Sequence, residues 1–270
     1  MRVRFWGVRG SIPVAAHNYV VFGGNTPCIE VRSQEGVIII DAGTGIRELG
    51  TRLQEQSAGA ALKLHLLFTH FHWDHIQGLP YFAPLYSPAN EIIFHSNRPP
   101  EMLKGILDGQ MSNPHYPISF DYPAAKKTFV DISSDPFHHF GVSVRPFPLN
   151  HPQGGTGYRI ESKDAVITHA SDLEHGHDQL DKTLREFAQD ADVLIYDSQY
   201  TPDEYLSKKG WGHSTWLQAT RVARECNVKR LVLFHHDPSH DDQTMSKILD
   251  EARRHFENTD VAKEGWEIEL

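Results

Sequence analysis

The sequence has few cysteines, no excess of basic residues and no long apolar segment. The chain has only two cysteines, Cys28 and Cys226, so we do not expect a disulfide framework. We expect a cytoplasmic location, where thiols stay reduced. No run of about 18 apolar residues occurs, which argues against a membrane-spanning helix and a membrane partner. Residues 1–7 have no long apolar core and are typical of a strand rather than of a signal peptide. The formal net charge of −9 predicts that nucleic acid is not the partner, because nucleic-acid-binding surfaces are usually basic.

Histidine, in contrast, is abundant: the chain of 270 residues has 18. Imidazole is a common metal ligand at neutral pH, so this composition suits metal binding. Some of the histidines are interpreted as ordinary surface residues, namely His17, His95, His115, His138, His139, His175, His177 and His255. Most of the others occur in short clusters with aspartate, and these clusters carry the functional argument.

Short apolar runs rich in β-branched residues are interspersed with amphipathic segments. Several runs lack alternation and are predicted to be strands buried on both faces. The predicted strands are 37–40, 64–68, 92–94, 142–144, 165–168, 193–196 and 231–234. The predicted helices are 44–56, 101–111, 179–189, 215–225 and 242–257, with caps at Ser214 and at Asp241 or Asp242. This order predicts one α/β layered domain over residues 1–270.

Residues 80–123 are rich in proline and aromatic side chains. We interpret this segment as an excursion from the domain that covers the active site. Loops in that position usually set specificity.

The segment that carries most chemistry is Thr69-His70-Phe71-His72-Trp73-Asp74-His75, at the end of an apolar run. Residues i and i+2 project to the same side of an extended chain, so His70 and His72 can hold one ion. A turn after His72 would bring Asp74 and His75 toward a second ion. Imidazole and carboxylate together favour zinc, manganese or iron over calcium. Hydrogen bonding at a strand end is the alternative, which four potential ligands in six positions disfavour.

The His-x-His-x-Asp-His run resembles the signature of the metallo-β-lactamase superfamily, and the resemblance extends through nearly the whole chain. It implies an αββα sandwich, in which two mixed β-sheets are flanked by helices. It also implies a first metal site of His70, His72 and His151 and a second of Asp74, His75 and His235, bridged by Asp172. Two divalent metal ions are expected, zinc first, with manganese or iron as alternatives. Their charge exceeds that of the carboxylates and of a bridging hydroxide, so an anionic substrate is attracted.

Some positions have alternatives. His236 or His240 could replace His235, although His235 directly ends an apolar run. The resemblance implies that Asp41 supports the metal loop, but this residue could instead cap the helix that follows it.

Two further segments resemble the ribonuclease Z and phosphoribosyl cyclic phosphodiesterase branch. They are Tyr196-Asp197-Ser198-Gln199 and Trp211-Gly212-His213-Ser214-Thr215. The resemblance implies that His213 contacts the substrate phosphate or protonates the leaving oxygen, with Asp197 as its partner. Aspartate has a shorter reach than the glutamate that the branch often has. Alternatively, Ser214 caps a helix and His213 is a surface neighbour. The expected catalytic residues are Asp74, His213 and Asp197.

Glycine-rich residues 7–13 and 23–26 resemble the branch's opening loops near the active site, where backbone amides can bind anions. Arg9 and Arg159 are candidate phosphate contacts or ordinary surface arginines.

The sequence therefore predicts a hydrolase that cleaves a small or cyclic phosphodiester, the anionic substrate, with a hydroxide that bridges two metals. A lactone or thioester hydrolase would share the metals, but His213 and Asp197 disfavour it. An RNA-processing nuclease is disfavoured by the acidic charge and by the lack of a basic arm. An oxidoreductase with two irons would need a flavin-binding partner domain, and a silent binding module would not need the full ligand set. A homodimer is compatible with all of these functions.

Overall fold

The buried apolar runs form strands, and the amphipathic segments between them form helices, in the computed structural model that describes residues 1–133 and 136–270. The strands are β1 Arg2–Gly7, β2 Cys28–Arg32, β3 Val37–Ile40, β4 Lys63–Leu67, β5 Glu91–Ser96, β6 Lys126–Asp131, β7 Phe137–His139, β8 Val142–Leu149, β9 Gly155–Glu161, β10 Val166–Ala170, β11 Val193–Asp197, β12 Arg230–Phe234, β13 Thr259–Val261 and β14 Glu267–Glu269. The helices are α1 Ile46–Ser57, α2 Trp73–Ile76, α3 Pro100–Gln110, α4 Asp178–Ala188, α5 Pro202–Tyr205, α6 Trp216–Glu225 and α7 Asp242–His255.

The strands form two mixed sheets of seven strands each. The first has the order β14-β1-β2-β3-β4-β5-β6, antiparallel from β14 to β3 and parallel from β3 to β6. The second has the order β13-β12-β11-β10-β9-β8-β7, parallel from β13 to β10 and antiparallel from there to β7. Carboxyl ends of parallel strands lie at one edge of a sheet, where ligand sites of such sheets form.

Three apolar layers hold the sheets and helices together. A central layer joins the inner faces of both sheets, with Phe5 of β1 and Phe234 of β12 among its members. On the outer face of the first sheet lie apolar residues of α1 and α3, and on that of the second lie apolar residues of α4, α6 and α7. Burial of each large apolar side chain contributes about 1.5–3 kcal/mol. This arrangement confirms the predicted αββα sandwich.

The predicted helix ends need small corrections. The cap of α6 is Thr215, whose hydroxyl accepts a hydrogen bond from the amide of Gln218, and not Ser214. Asp241 caps α7 by accepting from the amide of Thr244. In the part of the chain that the structure describes, no helix is long and apolar enough to cross a membrane.

Residues 80–123 divide into two parts with different roles. Strand β5 lies inside the first sheet between β4 and β6, so this part belongs to the layered core. The loop after β5 and helix α3 lie beside the carboxyl end of β4, where they form one wall of a cleft. The expectation that His95 is a surface residue is wrong: it lies on β5 and is 2% exposed.

Candidate metal centre

The segment after β4 changes direction at His72, which has an extended backbone and immediately precedes α2. His70 and His72 therefore lie in the extended part, whereas Asp74 and His75 lie on the first turn of the helix. The imidazole rings of His70 and His72 are 4.4 Å apart. One short segment thus directs four side chains of ligand type into the same edge of the sandwich.

The first candidate group consists of His70, His72 and His151, with one ring nitrogen of each within 4.8 Å of the others. His151 follows β8 of the second sheet, and its Nε2 is 3.1 Å from Nδ1 of His72. The Nε2 atom of His70 is buried and has no hydrogen-bond partner among the described residues. A buried polar atom is rarely left without a partner, so this nitrogen fits a metal ligand.

The second candidate group consists of Asp74, His75, Asp172 and His235. Oδ1 of Asp172 is 3.2 Å from Nε2 of His235, and its Oδ2 is 3.3 Å from Nε2 of His75. The same Oδ1 is 3.7 Å from Nε2 of His70, a member of the first group. Asp172 therefore lies between the two groups, as a bridging carboxylate would.

The outward-facing ring nitrogen of each histidine in these groups has an acceptor or polar partner. Nδ1 of His75 is 2.8 Å from Oδ2 of Asp41, Nδ1 of His151 is 2.8 Å from the carbonyl oxygen of Gly212, and Nδ1 of His235 is 2.9 Å from Oε1 of Gln199. His70 contacts the hydroxyl of Thr69, and His72 contacts Oε1 of Gln153. Such partners fix the ring orientation of metal-binding histidines, which leaves the inward nitrogens free to bind.

The buried carboxylates of this region require positive charge. Within the described residues, Asp41, Asp74, Asp172 and Asp197 form ion pairs only with histidines. Burial alone would lower the pKa of His235, but the charge of Asp172 and the hydrogen bond that His235 donates to Asp74 raise it to about 9. Burial likewise opposes ionisation of Asp172, yet His235 and His75 hold its pKa well below the usual range. Buried charges of this kind are paired or bind metals, so the donor set fits two divalent cations.

His213 and Asp197 form the predicted pair. Nδ1 of His213 is 3.0 Å from Oδ2 of Asp197, and the imidazole of His213 is stacked on that of His235 at 4.9 Å. The other carboxylate oxygen of Asp197 accepts from the amides of Gln199 and Ser214. Asp172, Asp197, His213 and His235 also satisfy the spacing of a metal group. We assign them no ion, because the Nδ1 atoms of both histidines already have hydrogen-bond partners.

The structure distinguishes between the sequence alternatives for His235 and Asp41. His236 is directed to the carbonyl oxygen of Ala262, and His240 to Glu204, so neither joins the groups. Asp41 does not cap α1, whose N-cap is Gly45. Its carboxylate instead accepts from the amide and hydroxyl of Thr69 and contacts His75.

Three of these residues have backbone angles in the left-handed region that favours glycine. The φ angles are 62° for Asp41, 62° for Asp172 and 60° for His235. Each of these residues lies just beyond the carboxyl end of a strand, so the turn aims its side chain into the edge of the sandwich. Residues in strained conformations concentrate at functional sites.

The opening glycine-rich loop lies in the site. The amide of Ser11 donates to Oδ2 of Asp74 at 2.7 Å. A Cβ on Gly10 would lie 2.4 Å from the ring of His235, so only glycine fits there.

The two arginines predicted as candidate phosphate contacts lie away from the candidate metal groups. Arg9 is fully buried and bonds to the carbonyl oxygens of Gly23, Asp237 and His240. Arg159 pairs with Glu161 and bonds to the carbonyl oxygens of residues 187 and 189.

Sequence reasoning missed several residues that organise the site. The carboxylate of Glu174 accepts from the amides of Gly210 and Gly212 and from the hydroxyl of Tyr205. It thereby holds the loop that carries His213. Sequence reasoning also missed the side-chain oxygen of Gln199, which contacts Nδ1 of His235, and the guanidinium of Arg98. Single polar residues in loops give no local signal.

A family model described as the β-lactamase superfamily domain matches residues 37–236. The chain belongs to this superfamily. The match includes all seven candidate ligands, from His70 to His235, and it confirms the predicted resemblance. The protein is a hydrolase of the metallo-β-lactamase superfamily.

Individual relatives agree with this assignment. A ribonuclease Z of Picrophilus torridus is 24% identical over 309 aligned residues, which cover 100% of this chain and 96% of the relative. The structure of a diphosphatase from the PhnP family superposes with a TM-score of 0.70 and 18% identity, covering 100% and 97% of the two chains. The short form of human tRNase Z superposes with a TM-score of 0.66 and 21% identity, covering 100% and 99%.

The expectation that nucleic acid is an improbable partner is wrong. Relatives that match along the whole chain are ribonucleases by name. The net charge of −9 describes the whole surface, whereas recognition of a phosphate depends on the few charges at one site. The global charge is therefore no argument against RNA as a partner.

Proposed function

We propose that this hydrolase is a phosphodiesterase with two divalent metal ions, held by His70, His72 and His151 on one side and by Asp74, His75 and His235 on the other, with Asp172 between them. The observation that carries the proposal is the pair formed by His213 and Asp197 beside the metal groups. When a phosphodiester with an alkoxide leaving group such as a ribose oxygen is cleaved, the leaving oxygen needs a proton, and a histidine held by a carboxylate beside the metal groups is placed to donate it. Zinc is the first choice of metal, with manganese or iron as alternatives.

The two cations, when bound, would acidify a water molecule and neutralise charge on the phosphate oxygens. The protein's own residues do the rest. Asp197 accepts from Nδ1 of His213, so the proton to be donated is on Nε2. The same hydrogen bond fixes the orientation of the imidazole ring. The amide of Ser11 fixes the carboxylate of Asp74.

RNA is a second candidate substrate. It is favoured by the ribonuclease Z relatives that align with 95–100% of this chain. The bond broken and the residues used would be the same as for a small phosphodiester. Only the groups that flank the scissile phosphate would differ.

The test is a metal analysis combined with a hydrolysis panel. Purified protein should contain about two divalent ions per chain. With metal, it should cleave bis-p-nitrophenyl phosphate, and either a 2′,3′-cyclic nucleotide or an RNA with a 3′ extension. A β-lactam and a lactone are the carbonyl controls. Efficient lactone or β-lactam turnover without phosphodiester cleavage under any divalent metal would overturn the proposal.

The role of His213 is tested by His213→Ala. Metal content should be retained, because His213 is not a proposed ligand. Loss of a general acid typically costs ~10²- to 10⁴-fold in rate. The cost should be large for a ribose leaving group and small for p-nitrophenolate, which leaves without a proton. His17→Ala, an exposed histidine, is the matched control. Equal losses for both leaving groups would contradict the acid role.

A further inference from the structure

A cleft of about 380 Å³ opens beside the first candidate group. His70 and His72 lie at its base. Its apolar wall comes from Phe71, Met102 and Ile106 together with Pro152. Met102 is 54% exposed although it is a large apolar residue, which suits a surface that a ligand covers.

The cleft also contains a cation without an acidic partner. Arg98, in the loop between β5 and α3, is its only lysine or arginine among the described residues. No Asp or Glu oxygen in the described ranges lies within 4.0 Å of its guanidinium nitrogens. In a chain with a net charge of −9, a partly buried arginine without a carboxylate partner is available to bind an anion.

The position of Arg98 indicates which anion it binds. Its Nη2 donates to the carbonyl oxygen of Gln153 at 3.0 Å. Oε1 of the same Gln153 is 3.3 Å from Nε2 of His72. One residue therefore separates the guanidinium from the first metal group. A phosphate at the metals would be neutralised there, and Arg98 would face the group next to it on the substrate.

We propose that this cleft binds a nucleotide that carries a second phosphate beside the one that is hydrolysed. Arg98 binds the second phosphate, and the apolar wall contacts the base between the two phosphates. Aromatic and apolar side chains bind bases of any sequence by stacking, and a bidentate guanidinium suits a phosphate. This inference names the substrate class of the proposed phosphodiesterase and rests on that function.

The test compares two substrates with the same leaving group. One is thymidine 5′-(p-nitrophenyl phosphate), and the other is the same compound with a phosphate on the 3′ oxygen. The metal-loaded protein should have a higher kcat/KM for the second. In Arg98→Met, the ratio between the two values should fall roughly 10- to 100-fold, as expected for the loss of a charge-assisted contact with phosphate. Arg47→Met, an exposed arginine on α1, should keep the wild-type ratio.

The apolar wall is tested by Met102→Ser. This variant should lose activity toward both thymidine substrates relative to bis-p-nitrophenyl phosphate, which has no base. A wild-type ratio near one, or a ratio that survives Arg98→Met, would overturn the inference.

Binding supplies a readout that does not depend on turnover. Calorimetry should find that thymidine 3′,5′-bisphosphate binds more tightly than thymidine 5′-monophosphate, and that Arg98→Met removes the difference. If neither thymidine ester is cleaved but this difference is observed, the subsite is supported while the phosphodiesterase proposal fails. If both esters are cleaved without any difference in binding, the subsite is wrong and the phosphodiesterase stands.

Discussion

Two clusters of histidines among the described residues differ in the side chains that surround them. In the candidate metal centre, imidazoles surround buried carboxylates. In the second cluster, which we name the histidine stack, His65 on β4 and His95 on β5 lie between the sheets with His139 of β7 against them. Nδ1 of His65 is 2.8 Å from Nε2 of His95, and the rings of His65 and His139 are 4.3 Å apart. The neighbours of the stack include the aromatic rings of Phe137 and Phe140.

Between the histidine stack and the second candidate group, the difference in neighbours produces opposite shifts in pKa. Burial lowers the pKa of His65 to about 4 and that of His95 to about 3. The carboxylates of the candidate metal centre instead raise the pKa of His235 to about 9. The carboxylates beside His75 and His235 therefore favour a cation at the second candidate group, whereas the histidine stack, with aromatic neighbours, packs as neutral rings.

Removal of the central carboxylate should have the largest effect. Asp172→Asn keeps the size of the side chain and tolerates the same backbone angle, but it loses the charge that joins the two groups. We expect loss of bound metal together with loss of activity. Elemental analysis and bis-p-nitrophenyl phosphate hydrolysis measure both. Full occupancy of both sites in this variant would show that Asp172 is not a bridging ligand.

Removal of an outer partner should have a smaller effect. Gln199→Met deletes the oxygen that accepts from Nδ1 of His235. Changes of this kind typically weaken metal affinity or activity ~10- to 100-fold. Competition with a chelator measures the affinity, and Gln54→Met on the exposed face of α1 is the control. An affinity equal to that of the control would contradict an orienting role for Gln199.

Changes in the histidine stack should have the smallest effect on the metal centre. His65→Phe should leave metal content and hydrolysis unaltered. An unfolded histidine binds a proton below about pH 6.5, whereas folded His65 does so only below about 4. The wild-type free energy of unfolding should therefore fall as the pH drops through this window, and the variant should lose less. Urea unfolding at pH 7 and pH 5 measures this. An identical pH dependence in both proteins would rule out the stack as its source.

The parts of the site that are close together in the sequence could be predicted, and so could those that follow a strand with a clear apolar pattern. His70 to His75 lie within one short segment, and His235 directly follows an apolar run. The contact between His213 and Asp197 was expected from resemblance, and the shorter aspartate side chain still reaches to 3.0 Å. The first two of these predictions rest on local sequence, and the third rests on the resemblance.

Features that depend on distant parts of the chain could not be predicted. β14 has three residues and pairs with β1 at the other end of the chain, so no local pattern indicates it. Glu174 gains its role from amides more than 30 residues away. In the sequence Arg98 is an isolated arginine, and only its contact with the distant residue Gln153 shows that it lies near the site. Burial of His95 and of Arg9 depends in the same way on the opposite sheet or on distant loops, and sequence reasoning had left both at the surface or undecided.

The left-handed backbone at Asp41, Asp172 and His235 restricts how this protein can vary. Aspartate, asparagine and histidine adopt such angles more readily than most residues, whereas β-branched residues do so at high cost. A replacement at these positions must therefore meet two independent requirements, one on the donor atom and one on the turn. Glutamate would meet the first and strain the second. Random mutagenesis should accordingly yield asparagine at Asp41 among folded but inactive clones far more often than valine or isoleucine.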